Sequence, residues 1–91
     1  MEKYNIEISA TAERDLKDLW EKLKNFKDLV NTIDELSINP IPYGVRKIKG
    51  FDKTFRIRFM YYRIIYDIYD RDKKIIILRI VRRDKSTYKF I

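Results

Sequence analysis

Arginine and tyrosine are the side chains through which this sequence has most scope for chemistry, because it contains no histidine and no cysteine. Losing both removes the common zinc sites, thiol nucleophiles, the Ser/His and Cys/His pairs and any histidine acid/base pair. In Phe55-Arg56-Ile57-Arg58-Phe59 two arginines alternate with apolar residues. Arg63, Arg79, Arg82 and Arg83 follow, with Lys47, Lys49 and Lys85 around them and Tyr88 near the end. A guanidinium is a planar fork of donors that stays protonated and matches two phosphate oxygens, so these arginines suit the stabilisation of negative charge on a phosphate. A phenol stacks on flat rings, and it accepts a proton where nearby cations lower its ordinary pKa of roughly 10.

The charge that accompanies these residues is divided unevenly. Of 91 residues, 1–44 carry 6 Lys/Arg against 9 Asp/Glu, a net of −3, whereas 45–91 carry 15 against 5, a net of +10. A dense cationic surface concentrates phosphate polymers and speeds their encounter, so nucleic acid is the leading partner and an acidic protein the next. The plainer alternative is a solvated, charge-rich surface of the kind heat-adapted proteins carry. In that reading Arg79 and Arg82 are strand-edge charges that deter aggregation, and Lys47 and Lys49 are simply solvated.

The elements that must position these groups are legible from periodicity. The length allows one domain over 1–91 with a modest core, and the composition, 45% hydrophobic with two Gly and two Pro, is that of a folded chain. Tyr4 to Ser9 alternates as a short strand. Ala12, Leu16, Leu19, Trp20 and Leu23 recur at helical spacing from Ala10 to Lys24, with Ser9 or Thr11 as N-cap and Trp20 expected in the core. A break near Asn25 leads to a second helix from Phe26 to about Ile38, striped by Leu29, Val30, Ile33 and Leu36, which Asn39, Pro40, Pro42 and Gly44 end. Strands are expected at Val45–Lys49, Thr54–Phe59, Tyr62–Tyr69 and Lys74–Arg82, joined by turns at 50–53 and 70–73. Phe55, Ile57 and Phe59 then share one face and Arg56 and Arg58 the other. Ile64, Tyr66 and Ile68 oppose Arg63, Ile65, Asp67 and Tyr69, and placing Ile76, Leu78 and Ile80 inward sends Arg79 and Arg83 outward. Tyr61, Tyr62, Tyr66 and Tyr69 read as half-buried strand residues. The expected fold is α+β, in the order β-α-α-β-β-β-β: a helical hairpin on one face of a small, twisted, mainly antiparallel sheet, leaving the other face basic. The longest apolar run, Ile75 to Leu78, is too short to cross a bilayer and the N-terminus lacks a signal-peptide core, so no membrane role and a cytoplasmic location are expected.

This order of elements, together with Arg46-Lys47-Ile48-Lys49-Gly50, Phe55-Arg56-Ile57-Arg58, Tyr62-Arg63-Ile64-Ile65-Tyr66 and Arg82-Arg83-Asp84-Lys85-Ser86-Thr87-Tyr88, resembles the RelE/ParE toxin superfamily over nearly the whole chain. The resemblance to its RelE branch implies the toxin of a type II toxin–antitoxin system, a metal-independent and cofactor-free endoribonuclease that cuts messenger RNA in the ribosomal A site by attack of the 2′-hydroxyl. It implies an acidic, RelB-like antitoxin as partner, beside the ribosome and the messenger. Carried onto this sequence, the family's basic pair falls on Arg56 and Arg58, its strand arginine on Arg63, its tail arginine on Arg83 and its tyrosine on Tyr88, which makes Arg56, Arg63, Arg83 and Tyr88 the expected catalytic groups; Arg58 and, from the charge pattern alone, Lys47, Lys49, Arg79, Arg82 and Lys85 are the expected RNA contacts. Arg56 and Arg63 would stabilise the transition state, Arg83 would donate a hydrogen bond to the leaving oxygen, and Tyr88 is the preferred general base. RelE-type sites often have lysines where this chain has Arg56 and Arg58, and an arginine cannot take a proton at physiological pH.

Two alternatives stand beside this. One is a ParE-like inhibitor of DNA gyrase, in which the Arg63, Arg83 and Tyr88 set is usually incomplete. The other is a non-catalytic RNA-binding module.

Overall fold

The computed structural model describes residues 3–83. Strand β1 (Asn5–Ile8) leads into helix α1 (Ala10–Lys22) and helix α2 (Phe26–Glu35), followed by β2 (Arg46–Lys47), β3 (Thr54–Phe59), β4 (Tyr62–Tyr69) and β5 (Lys74–Arg82). The strands form one mixed sheet in the order β1-β5-β4-β3-β2, in which β1 runs parallel to β5 and the other pairs are antiparallel. No helix among the described residues is long and apolar enough to cross a membrane.

The three long strands match their expected bounds because each is a run rich in β-branched and aromatic residues joined to the next by a tight turn. Both helices are shorter than their apolar spacing suggests. Ser9 caps α1, its Oγ accepting from the Ala12 N–H at 3.0 Å, and α1 ends at Lys22, where Leu23 turns extended. The β2 strand is reduced to two residues, because each end runs into a turn built on a positive-φ glycine. Val45 N–H donates to Pro42 O at 3.1 Å around Gly44 (φ +91°), and Phe51 N–H to Ile48 O at 3.2 Å around Gly50 (φ +89°). In both turns the glycine is the third residue, the position where left-handed φ is required, and the second residue, Tyr43 or Lys49, stands at the exposed corner.

One layer of core lies between the helices and the sheet: Ala12, Leu19, Leu29, Ile33 and Leu36 pack on Ile64, Tyr66, Ile68, Ile75, Ile77 and Ile80. This corrects the expected face of β5. Ile75 and Ile77 fill the core where Ile76 and Leu78 were expected, and Ile80 does so as expected. The cause is a β-bulge. Ile65 pairs with Arg79 and Tyr66 with Ile77, so Leu78 is an extra residue that reverses the strand's alternation between Ile77 and Ile80. Trp20 is a second correction. It is 69% exposed and packs edge-on against Phe26 at 5.3 Å, because the stripe that reaches the core runs through Ala12, Leu16, Leu19 and Leu23 and Trp20 lies one step around the helix from it. The tyrosines also separate. Tyr66 is fully buried, Tyr62 and Tyr69 are half-buried, and Tyr61 is exposed in the β3–β4 turn.

Candidate nucleic-acid interface

The site is built by the ladder register of the face that the helices leave uncovered. Across β2, β3, β4 and β5, Arg46 pairs with Arg56, Arg56 with Ile65 and Ile65 with Arg79, giving one row of three arginines around a buried isoleucine. In the next row Arg58 pairs with Arg63 and Arg63 with Val81. Side chains directly opposite in antiparallel strands stand about 4.5–5.5 Å apart at Cβ, and like charges there destabilise the sheet. Two such pairs, Arg46/Arg56 and Arg58/Arg63, sit side by side. Arg56 and Arg63 are half-buried, Arg46 and Arg58 exposed.

At the far end of the same face the acidic residue Asp67 is held by neighbours: Thr54 Oγ1 donates to its Oδ1 at 2.5 Å and the Tyr69 hydroxyl to its Oδ2 at 3.3 Å. The Asp67 charge in turn holds the Tyr69 phenol above its ordinary pKa. Asp67 therefore closes the cationic area on that side.

Along β5 the arginines are differently engaged. Arg79 reaches the edge of the sheet, where Nε and Nη2 donate to Asp15 of α1 at 2.9 and 3.3 Å. Arg82 lies 6.0 Å from the centre of the Tyr62 ring. Arg83 stands two residues beyond Val81, the partner of Arg63. Its N–H donates to Tyr61 O at 2.8 Å and its Nη1 to Met60 O at 2.8 Å, so it braces the β3–β4 turn, in which Met60 has φ +53°.

Of the expected site residues, the structure thus brings Arg56, Arg58 and Arg63 together on one face, with Arg79 at its β5 end and Arg83 beyond the end of the strand. Lys47 is placed elsewhere: it pairs with Phe55, whose ring packs toward the core with Tyr66 at 6.2 Å, so Lys47 projects from the helix side of β2. Lys49 stands on its turn at the end of the sheet. Lys85 and Tyr88 lie outside the described residues. Arg46 was missed as a site residue, although alternation along β2, with Lys47 on the Phe55 side, selects it. Taken together, these groups form a surface of fixed positive charge at short spacing, able to hold consecutive phosphates and to stabilise charge developing on one of them.

Comparison with known proteins agrees with this architecture. The family model described as the ParE toxin of the type II toxin–antitoxin system parDE matches residues 6–86. A protein of Methanocaldococcus jannaschii named "Putative toxin RelE1" is 38% identical over 91 residues, 96% of this chain and 97% of the relative. Among solved structures, the archaeal RelE–RelB complex of Pyrococcus horikoshii superposes with a TM-score of 0.77 at 26% identity, covering 91% of this chain and 98% of that one. The RelBE2 toxin–antitoxin complex of Mycobacterium tuberculosis gives 0.74 at 28% identity, covering 89% and 99%. The chain belongs to the RelE/ParE family of type II toxin–antitoxin toxins.

Proposed function

We propose that this toxin is an endoribonuclease of the RelE kind, acting in the cytoplasm on messenger RNA held in the ribosomal A site. The observation that carries the reading is the double like-charge pairing, Arg46/Arg56 and Arg58/Arg63, on the uncovered sheet face. Guanidinium groups set this close together present several donors at the spacing a polyphosphate can bridge. Similarity to RelE-named proteins supports the same reading.

In this mechanism the messenger's 2′-hydroxyl oxygen attacks the adjacent phosphorus. A 2′,3′-cyclic phosphate forms as the bond to the 5′-oxygen breaks. Arg56 and Arg63 stabilise the extra charge on the phosphate oxygens, Tyr88 takes the 2′-hydroxyl proton, and the leaving 5′-oxygen, hydrogen-bonded by Arg83, takes a proton from water to become the 5′-hydroxyl. Arg58, Arg79, Arg82, Lys49 and Lys85 track the flanking phosphates, whereas Lys47, on the helix side of β2, does not reach them. No metal or organic cofactor has a part in these steps. An acidic antitoxin of the RelB kind is the protein partner, as in the Pyrococcus and Mycobacterium complexes, and would cover this cationic face in the resting cell.

The test is primer-extension mapping of messenger on purified, programmed ribosomes. Wild type is expected to cut within the A-site codon, and Arg63→Ala and Tyr88→Phe to lose roughly 100-fold or more of the rate. Uncut messenger with wild type would remove the ribonuclease reading. The ParE description of the matching family model favours a second reading, inhibition of DNA gyrase. Loss of gyrase supercoiling beside intact messenger would select it, whereas RNA binding with neither activity would leave a non-catalytic RNA-binding module.

A further inference from the structure

Tyr43 is the most exposed aromatic among the described residues, its accessibility as great as in an open peptide (103%). Such a ring gains nothing from folding, yet the backbone fixes the position from which it projects. It occupies the corner of the turn from Pro42 to Val45, closed by the 3.1 Å hydrogen bond from Val45 N–H to Pro42 O and dependent on Gly44 at φ +91°. The loop before the turn is tied to the core, where the buried Tyr66 hydroxyl donates to Pro40 O at 2.7 Å. One local hydrogen bond, one from the core and a glycine thus hold the backbone that carries a bare aromatic side chain at the edge of the cationic face.

Its surroundings are specific. Tyr43 and Gly44 line a cleft of about 340 Å³ whose other walls are Arg46, Arg56, Ile57 and Arg58. The cleft opens where β2 stops at Arg46 and β3 continues alone along the outer edge of the sheet. The volume is within the range of small-ligand pockets, which start at about 300 Å³. The residues that line it are thus one tyrosine, three arginines, one isoleucine and the turn glycine. A flat aromatic stacks on any nucleobase, while guanidiniums beside it bind the phosphates that flank that base; this pairing of stacking platform and cationic groove is how proteins hold single-stranded nucleic acid. A duplex does not fit the same description, because its bases are already stacked on each other.

We infer that Tyr43 is a stacking platform for one unpaired base of the RNA, in a nucleotide subsite whose phosphates are held by Arg46, Arg56 and Arg58. The inference rests on the reading of this face as RNA-binding and extends it to a residue that sets which part of the strand is anchored. Stacking depends little on salt and requires that a base be present, whereas phosphate contacts weaken with salt and need no base, so the two contributions separate experimentally.

The experiment measures fluorescence anisotropy of a labelled, single-stranded oligoribonucleotide with the full chain, for wild type, Tyr43→Ala and Tyr43→Phe across a salt series. Tyr43→Ala is expected to bind about tenfold more weakly, with an unchanged slope of log affinity against log salt, and Tyr43→Phe to match wild type. Replacing one nucleotide by an abasic one, scanned along the strand, is expected to weaken wild type by the same factor at one position and to leave Tyr43→Ala unaffected there. Equal binding by wild type and Tyr43→Ala would overturn the inference, as would a loss that appears only through the salt slope, or no RNA binding by wild type. So would a Tyr43→Ala defect confined to the antitoxin, which marks a protein-docking aromatic instead. Parallel assays on programmed ribosomes distinguish this subsite from the nuclease reading. Tyr43-dependent binding without cleavage keeps the platform and removes the nuclease. Cleavage with the same kcat/KM in wild type and Tyr43→Ala keeps the nuclease and removes the platform.

Discussion

The Tyr66 phenol shows how a single side chain can serve core and site at once. Its ring is fully buried in the layer between helices and sheet, stacked at 6.2 Å on Phe55, and its hydroxyl donates to Pro40 O at 2.7 Å across 26 residues of sequence. Tyr66→Phe keeps the ring and removes the donor, leaving a carbonyl that has lost its partner, so a loss of about 1–2 kcal/mol is expected in urea unfolding. The same group predicts a pH dependence. Burial raises the folded-state pKa of Tyr66 above its ordinary value of 10.0. Below about pH 10 the phenol is neutral in both states and its contribution is fully present. As pH rises further the unfolded chain ionises first, so stability falls by up to roughly 1.4 kcal/mol per pH unit until the folded pKa is reached. Tyr4 and Tyr69, whose phenols are also raised, chiefly by the Tyr4 hydrogen bond to Asp70 and by the Asp67 charge respectively, decline in the same direction. The diagnostic result is therefore a steeper loss of urea midpoint above pH 10 in wild type than in Tyr66→Phe; parallel curves would show that the buried phenol is not responsible.

Among the elements, β5 carries the largest local irregularity, and the start of α1 holds it. Ser9 N–H donates to Ile77 O at 3.0 Å and Ser9 Oγ to Leu78 O at 3.1 Å. Asp15, one turn and a half further along, accepts from the Ile80 N–H at 2.9 Å as well as from Arg79. Beyond Ile77 the strand β1 has ended, so these side chains take over donors and acceptors at that edge that a neighbouring strand would otherwise satisfy. Asp15→Ala removes the acceptor of a part-buried arginine and of a backbone N–H together, with an expected cost of about 2 kcal/mol. In a double-mutant cycle with Arg79→Ala a coupling of about 1 kcal/mol is expected from urea midpoints. An Asp15→Ala variant within about 0.5 kcal/mol of wild type would show that the edge does not need this clamp. The same geometry explains what the sequence could and could not reveal. Arg56, Arg58 and Arg63 were legible as one face because β3 and β4 alternate without interruption. The inner face of β5 was not, since the bulge at Leu78 is accommodated by residues more than sixty positions away. Trp20 fits the helical spacing as well as Leu19 does, and only the angle at which α1 meets the sheet separates them. Tyr43 belongs to no periodic segment, so its place beside Arg46 and Arg58 appears only once the turn at Gly44 is built.

Across the whole molecule the charge division has two consequences that respond to salt in opposite directions. Residues 45–91 carry a net +10, and the cross-strand pairs Arg46/Arg56 and Arg58/Arg63 concentrate part of it on one face. In the free chain that charge repels itself, and raising salt shortens the Debye length from about 30 Å at 0.01 M to about 3 Å at 1 M, which relieves the repulsion. If each like-charge pair destabilises the sheet by about 0.2–1 kcal/mol, screening both raises the melting temperature by several degrees, since about 1 kcal/mol moves a domain of this size by roughly 4–8 °C. The exposed ion pairs Lys17–Glu13 and Lys22–Asp18 on α1 weaken at the same time, but solvated pairs contribute little and do not reverse the sign. Binding of single-stranded RNA moves the other way. Each phosphate neutralised contributes a slope of about −0.7 in log affinity against log salt, so three or four contacts through Arg46, Arg56, Arg58 and Arg63 give a slope of roughly −2 to −3. Calorimetric melting and RNA binding measured over one salt series are expected to diverge, the free toxin becoming more stable as its hold on RNA weakens. Arg58→Glu tests the link between the two. It turns a repulsive cross-strand pair into an attractive one, and is expected to raise the melting temperature at low salt while flattening both salt dependences and reducing RNA affinity. A lower melting temperature in Arg58→Glu at low salt, or a free chain that salt destabilises, would show that the arginine face is at rest without its polyanion.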